Sequence, residues 1–155
     1  MTGGDPVRVT GLTRAPAERV WHWLADPYSY ADWVCGTARV RSADADWPAV
    51  GSRLQHRFGR WPLVALDHTS VLEAEPPHRL VLAASARPWA LVRAEVIVTA
   101  TATGAHVQLC EQVVGGRIAR LPRASRRVQR WRNRRSLARL IALAEGAEPG
   151  RRVGA

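Results

Sequence analysis

The spacing of hydrophobic and polar positions changes period twice along this chain. Val7, Val9 and Gly11 alternate with polar or outward positions, which predicts a strand over residues 7–13. From Pro16 the spacing becomes helical, with Val20, Trp21, Leu24 and Ala25 forming an apolar stripe. Pro16 suits a helix start because its missing N–H is not needed in the first turn. Asp26-Pro27 ends that helix, since a residue preceding proline is pushed out of the helical region. A second short helix follows over residues 28–34, carrying Tyr28, Tyr30 and Trp33, and Cys35-Gly36 closes it.

Between residues 37 and 115 the period is two. Strands are predicted over 37–45, 51–58, 63–73, 79–84, 91–102 and 106–114. The more apolar faces carry Leu54, His56 and Phe58; then Val64, Leu66, His68, Ser70 and Leu72, with Asp67 and Thr69 opposite. They continue with Val92, Ala94, Val96 and Val98, and with Val107, Leu109, Glu111 and Val113. Pro76-Pro77 and Gly104 make the connections short, so the strands form an antiparallel meander. Residues 123–145 contain neither proline nor glycine and read as one helix of about six turns.

The predicted architecture is α+β. A curved seven-stranded antiparallel sheet surrounds a long C-terminal helix, with two short helices after the first strand. Residues 1–146 form one domain, and 147–155 are a tail expected to fray. An apolar sheet face must be covered, and the final helix is the one element long enough. A sheet curved around a helix leaves a gap, and an apolar gap is a ligand cavity.

Composition narrows the picture. The 155 residues suit one domain, large enough to need neither metal nor disulfide for stability. No segment approaches the ~20 apolar residues of a membrane helix. Residues 1–6 lack the pattern of a secretory leader, and Cys35 and Cys110 form no CxxC, so a reducing cytoplasm is the expected location.

Charge adds a second feature. There are 23 basic residues, all arginine, against 13 acids, for a net charge of +10. Ten of these arginines, Arg117 through Arg139, fall in a segment without an acid. The core face of a helix takes only about a third of its positions. Most of these arginines must therefore point outward, together with Val128 and Trp131. Such a stripe suits an anionic membrane or an acidic carrier protein. Nucleic acid fits less well, because no recognised binding module accompanies it. The alternative is a solvated basic face shaped by GC-rich coding.

The five histidines show no HxH, HxxxH or HExxH spacing, so no metal site is expected, and no cofactor motif is present. The candidate cavity residues are Trp33, Leu54, His56, Phe58, Leu66, His68, Val96, Leu109, Glu111, Arg130 and Asn133. His56 or His68 could bond a ligand carbonyl or serve as a base; the alternative is a core histidine bonded to a neighbour. Glu111 between Leu109 and Val113 must be paired, hydrated or protonated, either as an acid or in a salt bridge to a helix arginine. On a helical wheel, Leu137, Leu140, Ile141 and Ala144 share a face that continues backward through Asn133, Arg130 and Arg126. That places Asn133 and Arg130 at the cavity mouth. Trp21 and Trp23 cannot both be core, whereas Trp33, Trp47, Trp61 and Trp89 fall at element ends, where a rim would lie.

Two segments carry a resemblance. Residues 15–21 followed by Ala25-Asp26-Pro27 resemble the opening of the START-like, or SRPBCC, superfamily, which has a helix-grip fold. Trp61-Pro62-Leu63, Asp67, Pro76-Pro77 and Arg87-Pro88 are similar to its small bacterial polyketide cyclase/dehydrase members, as is the run from Arg132-Asn133 to Ala144-Glu145. The resemblance covers about residues 7–146. It implies a helix-grip fold and an acid at position 67, in a superfamily of carriers, sensors and enzymes. The expected function is binding or carriage of a small hydrophobic molecule, such as a lipid, isoprenoid or polyketide. The alternative is a cyclase or dehydratase using acid–base residues of the cavity.

Overall fold

The computed structural model describes residues 4–58, 65–120 and 124–147. Strand β1 spans Val7–Thr13, followed by α1 over Ala17–Ala25. A 3-10 turn at Pro27–Ser29 leads into the short α2 at Tyr30–Trp33. Asp26 accepts the Tyr28 N–H at 3.0 Å, so the predicted helix-ending pair also caps the next turn. Six strands then follow: β2 (Thr37–Ala43), β3 (Arg53–Phe58), β4 (Ala65–Glu75), β5 (Arg79–Ala86), β6 (Ala90–Thr101) and β7 (Gly104–Gly115). A 3-10 turn at Arg117–Arg120 precedes the final helix α3, Ala124–Ala144.

All strand pairs are antiparallel, in the order β1-β7-β6-β5-β4-β3-β2. The meander is therefore closed back on its first strand through β7. The register stacks inward-facing residues across the sheet. Val9 pairs with Leu109, Leu109 with Val96, and Val96 with Leu80. Glu111 pairs with Val7 and Ala94, within the same inner layer.

The core joins this layer to α1 and α3. Val20 and Leu24 of α1 and Leu137, Leu140, Leu143 and Ala144 of α3 are all buried in one cluster. Trp21 and Trp23 lie on either side of Leu24's stripe, and both are partly buried against that cluster. Neither is in the fully buried core, in keeping with the expectation that both cannot be core. Gly11 brings α3 close to β1: a Cβ there would stand 2.7 Å from Ile141 Cδ1. Beyond this point Glu145 accepts both the Thr13 hydroxyl and the Arg14 N–H at 2.9 Å. The C-terminal half of α3 is thus seated on β1. No helix among the described residues is long and apolar enough to cross a membrane.

Candidate ligand-binding cavity

Between the N-terminal half of α3 and the concave sheet lies a cavity of about 330 Å³. Its walls are mainly apolar, from Leu82, Ala84, Val92, Ala94, Val96 and Leu109 on the sheet, Leu54 on β3, and Tyr30, Trp33 and Val34 around α2. Alternation explains why these side chains converge, since successive inner positions of neighbouring strands stack over one another. Tyr30 is fixed beneath the floor by donating to Leu24 O at 3.0 Å, and Trp47 donates to the same carbonyl at 3.3 Å.

A few polar groups interrupt this lining. His56 and Thr69 face each other from β3 and β4, with Nε2 and Oγ1 3.0 Å apart. Burial pushes the His56 imidazole below its ordinary value; Asp67 pulls it back upward. On the opposite side Glu111 enters from β7. Asn133, with its amide nitrogen turned toward the carboxylate, donates to Oε2 at 2.8 Å and to Gln129 O at 3.2 Å. Burial raises the Glu111 carboxyl above its ordinary value, against the opposing pull of Arg132 and the bonds from Gln129 and Asn133. Arg132 lines the cavity and donates to Cys35 O at 2.9 Å, while Ser136 accepts the Cys35 N–H at 2.9 Å. These two bonds tie α3 to the α2–β2 link.

Of the sequence-predicted residues, Trp33, Leu54, His56, Val96, Leu109 and Glu111 all line the cavity. Asn133 is buried behind the wall and acts on Glu111. The side chains of Phe58 and Leu66 lie outside the described residues, as do Trp61, Pro62 and Leu63. Two expectations need correction. His68 is not a cavity residue; its side chain is 38% exposed, because β4 is one residue out of the predicted phase. The inner positions of β4 are Asp67, Thr69 and Val71, set by the pairing of Thr69 with Leu54 and Asp67 with His56. Arg130 is also exposed, and Arg132 takes the cavity position instead.

Asp67 accordingly moves from the expected outer face to the inner one. Burial raises its carboxyl, but N–H bonds from Arg87 and His68 and the Ser85 hydroxyl outweigh that and hold it below the usual carboxylate range. The Ser85 and Arg87 contacts, both 2.7 Å, fasten the end of β5 to β4. Its role is thus to hold the strand ends beside His56. Trp89 lines the cavity while remaining 46% exposed, so it stands at the opening, whereas Trp47 belongs to the core and not to the rim. Trp89 thus takes the rim position its place at an element end predicts, whereas Arg132 and Ser136 are cavity residues that neither the strand faces nor the core stripe of α3 marks. Among the described residues there is no group of histidine, cysteine and carboxylate side chains suited to a metal ion.

A curved antiparallel sheet gripping a C-terminal helix over an apolar cavity defines the helix-grip class. Residues 7–145 match the family model described as polyketide cyclase/dehydrase and lipid transport, and the chain belongs to that family. No curated protein matches it in sequence. Among solved structures, an aromatase/cyclase from a Streptomyces species aligns with a TM-score of 0.71 at 18% identity, over 91% of this chain and 93% of that one. A Chromobacterium violaceum protein aligns at 0.69 and 18% identity, over 93% and 100%. The di-domain aromatase/cyclase StfQ of the steffimycin pathway aligns at 0.72 and 12% identity, over 90% of this chain and half (50%) of that one. At these identities the likeness is one of fold.

Proposed function

We propose that this protein binds and carries a small hydrophobic molecule in the cavity between α3 and the sheet. The observation that carries this reading is the mainly apolar lining of the cavity, interrupted by a few polar side chains. Burial of apolar ligand surface supplies the affinity, and His56, Thr69, Glu111 and Arg132 supply orientation. Lipid, isoprenoid and polyketide chemistry all fit such a lining, and the family's description includes both cyclisation and lipid transport.

The test is titration with an apolar fluorescent probe, N-phenyl-1-naphthylamine, against the protein and an Ala94→Trp variant. Saturable binding that the added indole abolishes, in a variant that still folds, supports the reading. Equal probe binding by both proteins overturns it.

A specific pair of residues favours a second reading, that of a cyclase. His56 and Glu111 sit on opposite walls, and burial shifts one imidazole down and one carboxyl up. Neutral His56 could take a proton from a methylene flanked by carbonyls, while protonated Glu111 delivers one to the accepting carbonyl oxygen. Turnover of a poly-β-ketone thioester analogue that is lost in both His56→Asn and Glu111→Gln, with binding retained, would establish this activity. Binding without turnover leaves the carrier.

A further inference from the structure

We infer that the outer face of α3, together with the cavity rim, is a docking surface for an anionic lipid bilayer. Arg127, Val128, Arg130, Trp131, Arg134 and Arg135 are all exposed. At 100° per residue Arg127, Val128, Trp131, Arg134 and Arg135 fall within one continuous face turned away from Leu137, Leu140 and Ala144, and Arg130 lies at its edge beside Leu137. Val128 and Trp131 are 59% and 57% exposed, and the Arg135 guanidinium lies 5.6 Å from the Trp131 ring centre. Arg126 pairs with Asp5 at 3.1 Å, whereas Arg127, Arg130, Arg134 and Arg135 make no ion pair among the described residues.

The rim repeats the same chemistry. Trp89, Leu91 and Val114 are exposed together, since the ends of β6 and β7 pair Leu91 with Gly115. Arg117 lies 5.4 Å from the Trp89 ring centre. Trp89 also lines the cavity, so this apolar cluster adjoins its opening on one side. The 3-10 turn carrying Arg117 and Arg120 leads from that rim into α3 within a few residues.

An acidic protein would be met by the arginines alone. The exposed tryptophans and valines have a specific use at a bilayer, where indole rings settle at the headgroup level and apolar side chains enter the acyl boundary. Nearby arginines add attraction to anionic lipid. A helix lying in the membrane plane would bring the rim against the lipid, so the cavity opens toward a hydrophobic source. That last consequence rests on the carrier reading; the docking itself does not.

The experiment is co-sedimentation of the full chain with vesicles of phosphatidylcholine alone and with about one third phosphatidylglycerol, at low and moderate salt. Binding should be confined to the anionic vesicles and fall as salt rises. Each arginine near the surface contributes about fivefold, so Arg127→Gln with Arg134→Gln should weaken binding roughly 25-fold. Trp131→Ala should weaken it at both salt levels, as loss of an inserted ring requires. Both variants should still take up N-phenyl-1-naphthylamine, which shows them folded. Equal or negligible binding to the two vesicle types overturns the proposal, as does a double variant that binds like the parent. Probe uptake measured in the same preparations separates failure of docking from failure of the carrier reading.

Discussion

Asn133 of α3 and Glu111 of β7 meet at 2.8 Å, the helix supplying the donor and the sheet the acceptor. Asn133 is buried, and its amide is shared between Glu111 and the Gln129 carbonyl. The contact makes the cavity's acid part of the helix–sheet joint. It also sets the electrostatic character of that wall.

The raised Glu111 carboxyl has a defined stability signature. The folded state holds its proton to higher pH than the unfolded chain does. Between the ordinary carboxylate value and the raised one, the native state therefore binds more protons, and stability falls as pH rises through that window. Glu111→Gln should remove this decline while keeping an acceptor for Asn133. Urea unfolding midpoints measured from pH 4 to 8 check it; an unchanged slope in the variant would refute the assignment.

His56 has the opposite sign. Burial lowers its value, so the native state resists the proton that the unfolded chain accepts. Its contribution is present above the ordinary histidine value and is lost as pH falls below it. A proton-detected titration of the imidazole should show a midpoint below the ordinary histidine value.

Leu54 is 1% exposed and borders the cavity. Leu54→Ala enlarges an existing void and should cost about 2–3 kcal/mol, at the low end of buried leucine truncations. The same variant should accept a bulkier apolar probe. Chemical denaturation and probe titration measure the two effects.

Gly116 has φ 90°, and a Cβ there would stand 2.5 Å from Trp89 O. Gly116→Ala should therefore destabilise by about 1–3 kcal/mol through backbone strain, with displacement of the rim around Trp89 adding to it. Loss of probe affinity beyond the loss of stability would show that the rim shapes the cavity.

Glu145 illustrates a bond that sequence spacing could not reveal. N–H donation from Arg14 and the Thr13 hydroxyl hold its carboxyl below the usual range. Stability from this clasp is present at neutral pH and is lost as pH falls through that lowered value. Glu145→Gln should lower the thermal midpoint at pH 7, by an amount that shrinks as the pH is lowered through the carboxylate range.

The fold was legible because each segment has one dominant period. The strand faces of β6 and β7 and the core stripe Leu137, Leu140, Ala144 follow directly from it. Strand β4 escaped because its two faces are nearly equal in polarity: Leu66, His68, Ser70 and Leu72 look as apolar as Asp67, Thr69 and Val71. Pairing with β3 decides between them, and a slip of one residue moves His68 outward and Asp67 inward. Arg130 and Arg132 present a similar problem. An ideal wheel ranks Arg130 closer to the core stripe, but the cavity lies to one side of that stripe, where Arg132 reaches the Cys35 carbonyl.

The close approach at Gly11 divides α3 into unequal lengths. Beyond it the helix is pinned by Leu137, Ile141 and Glu145; before it, Asn133's bond to Glu111 and the bonds of Arg132 and Ser136 to the Cys35 backbone hold the helix over the cavity. This makes α3 a lever with its fulcrum on β1. Tilting the long arm outward breaks those few side-chain bonds and leaves every strand pairing intact. The arm that overhangs the cavity is also the one that bears the arginines and Trp131.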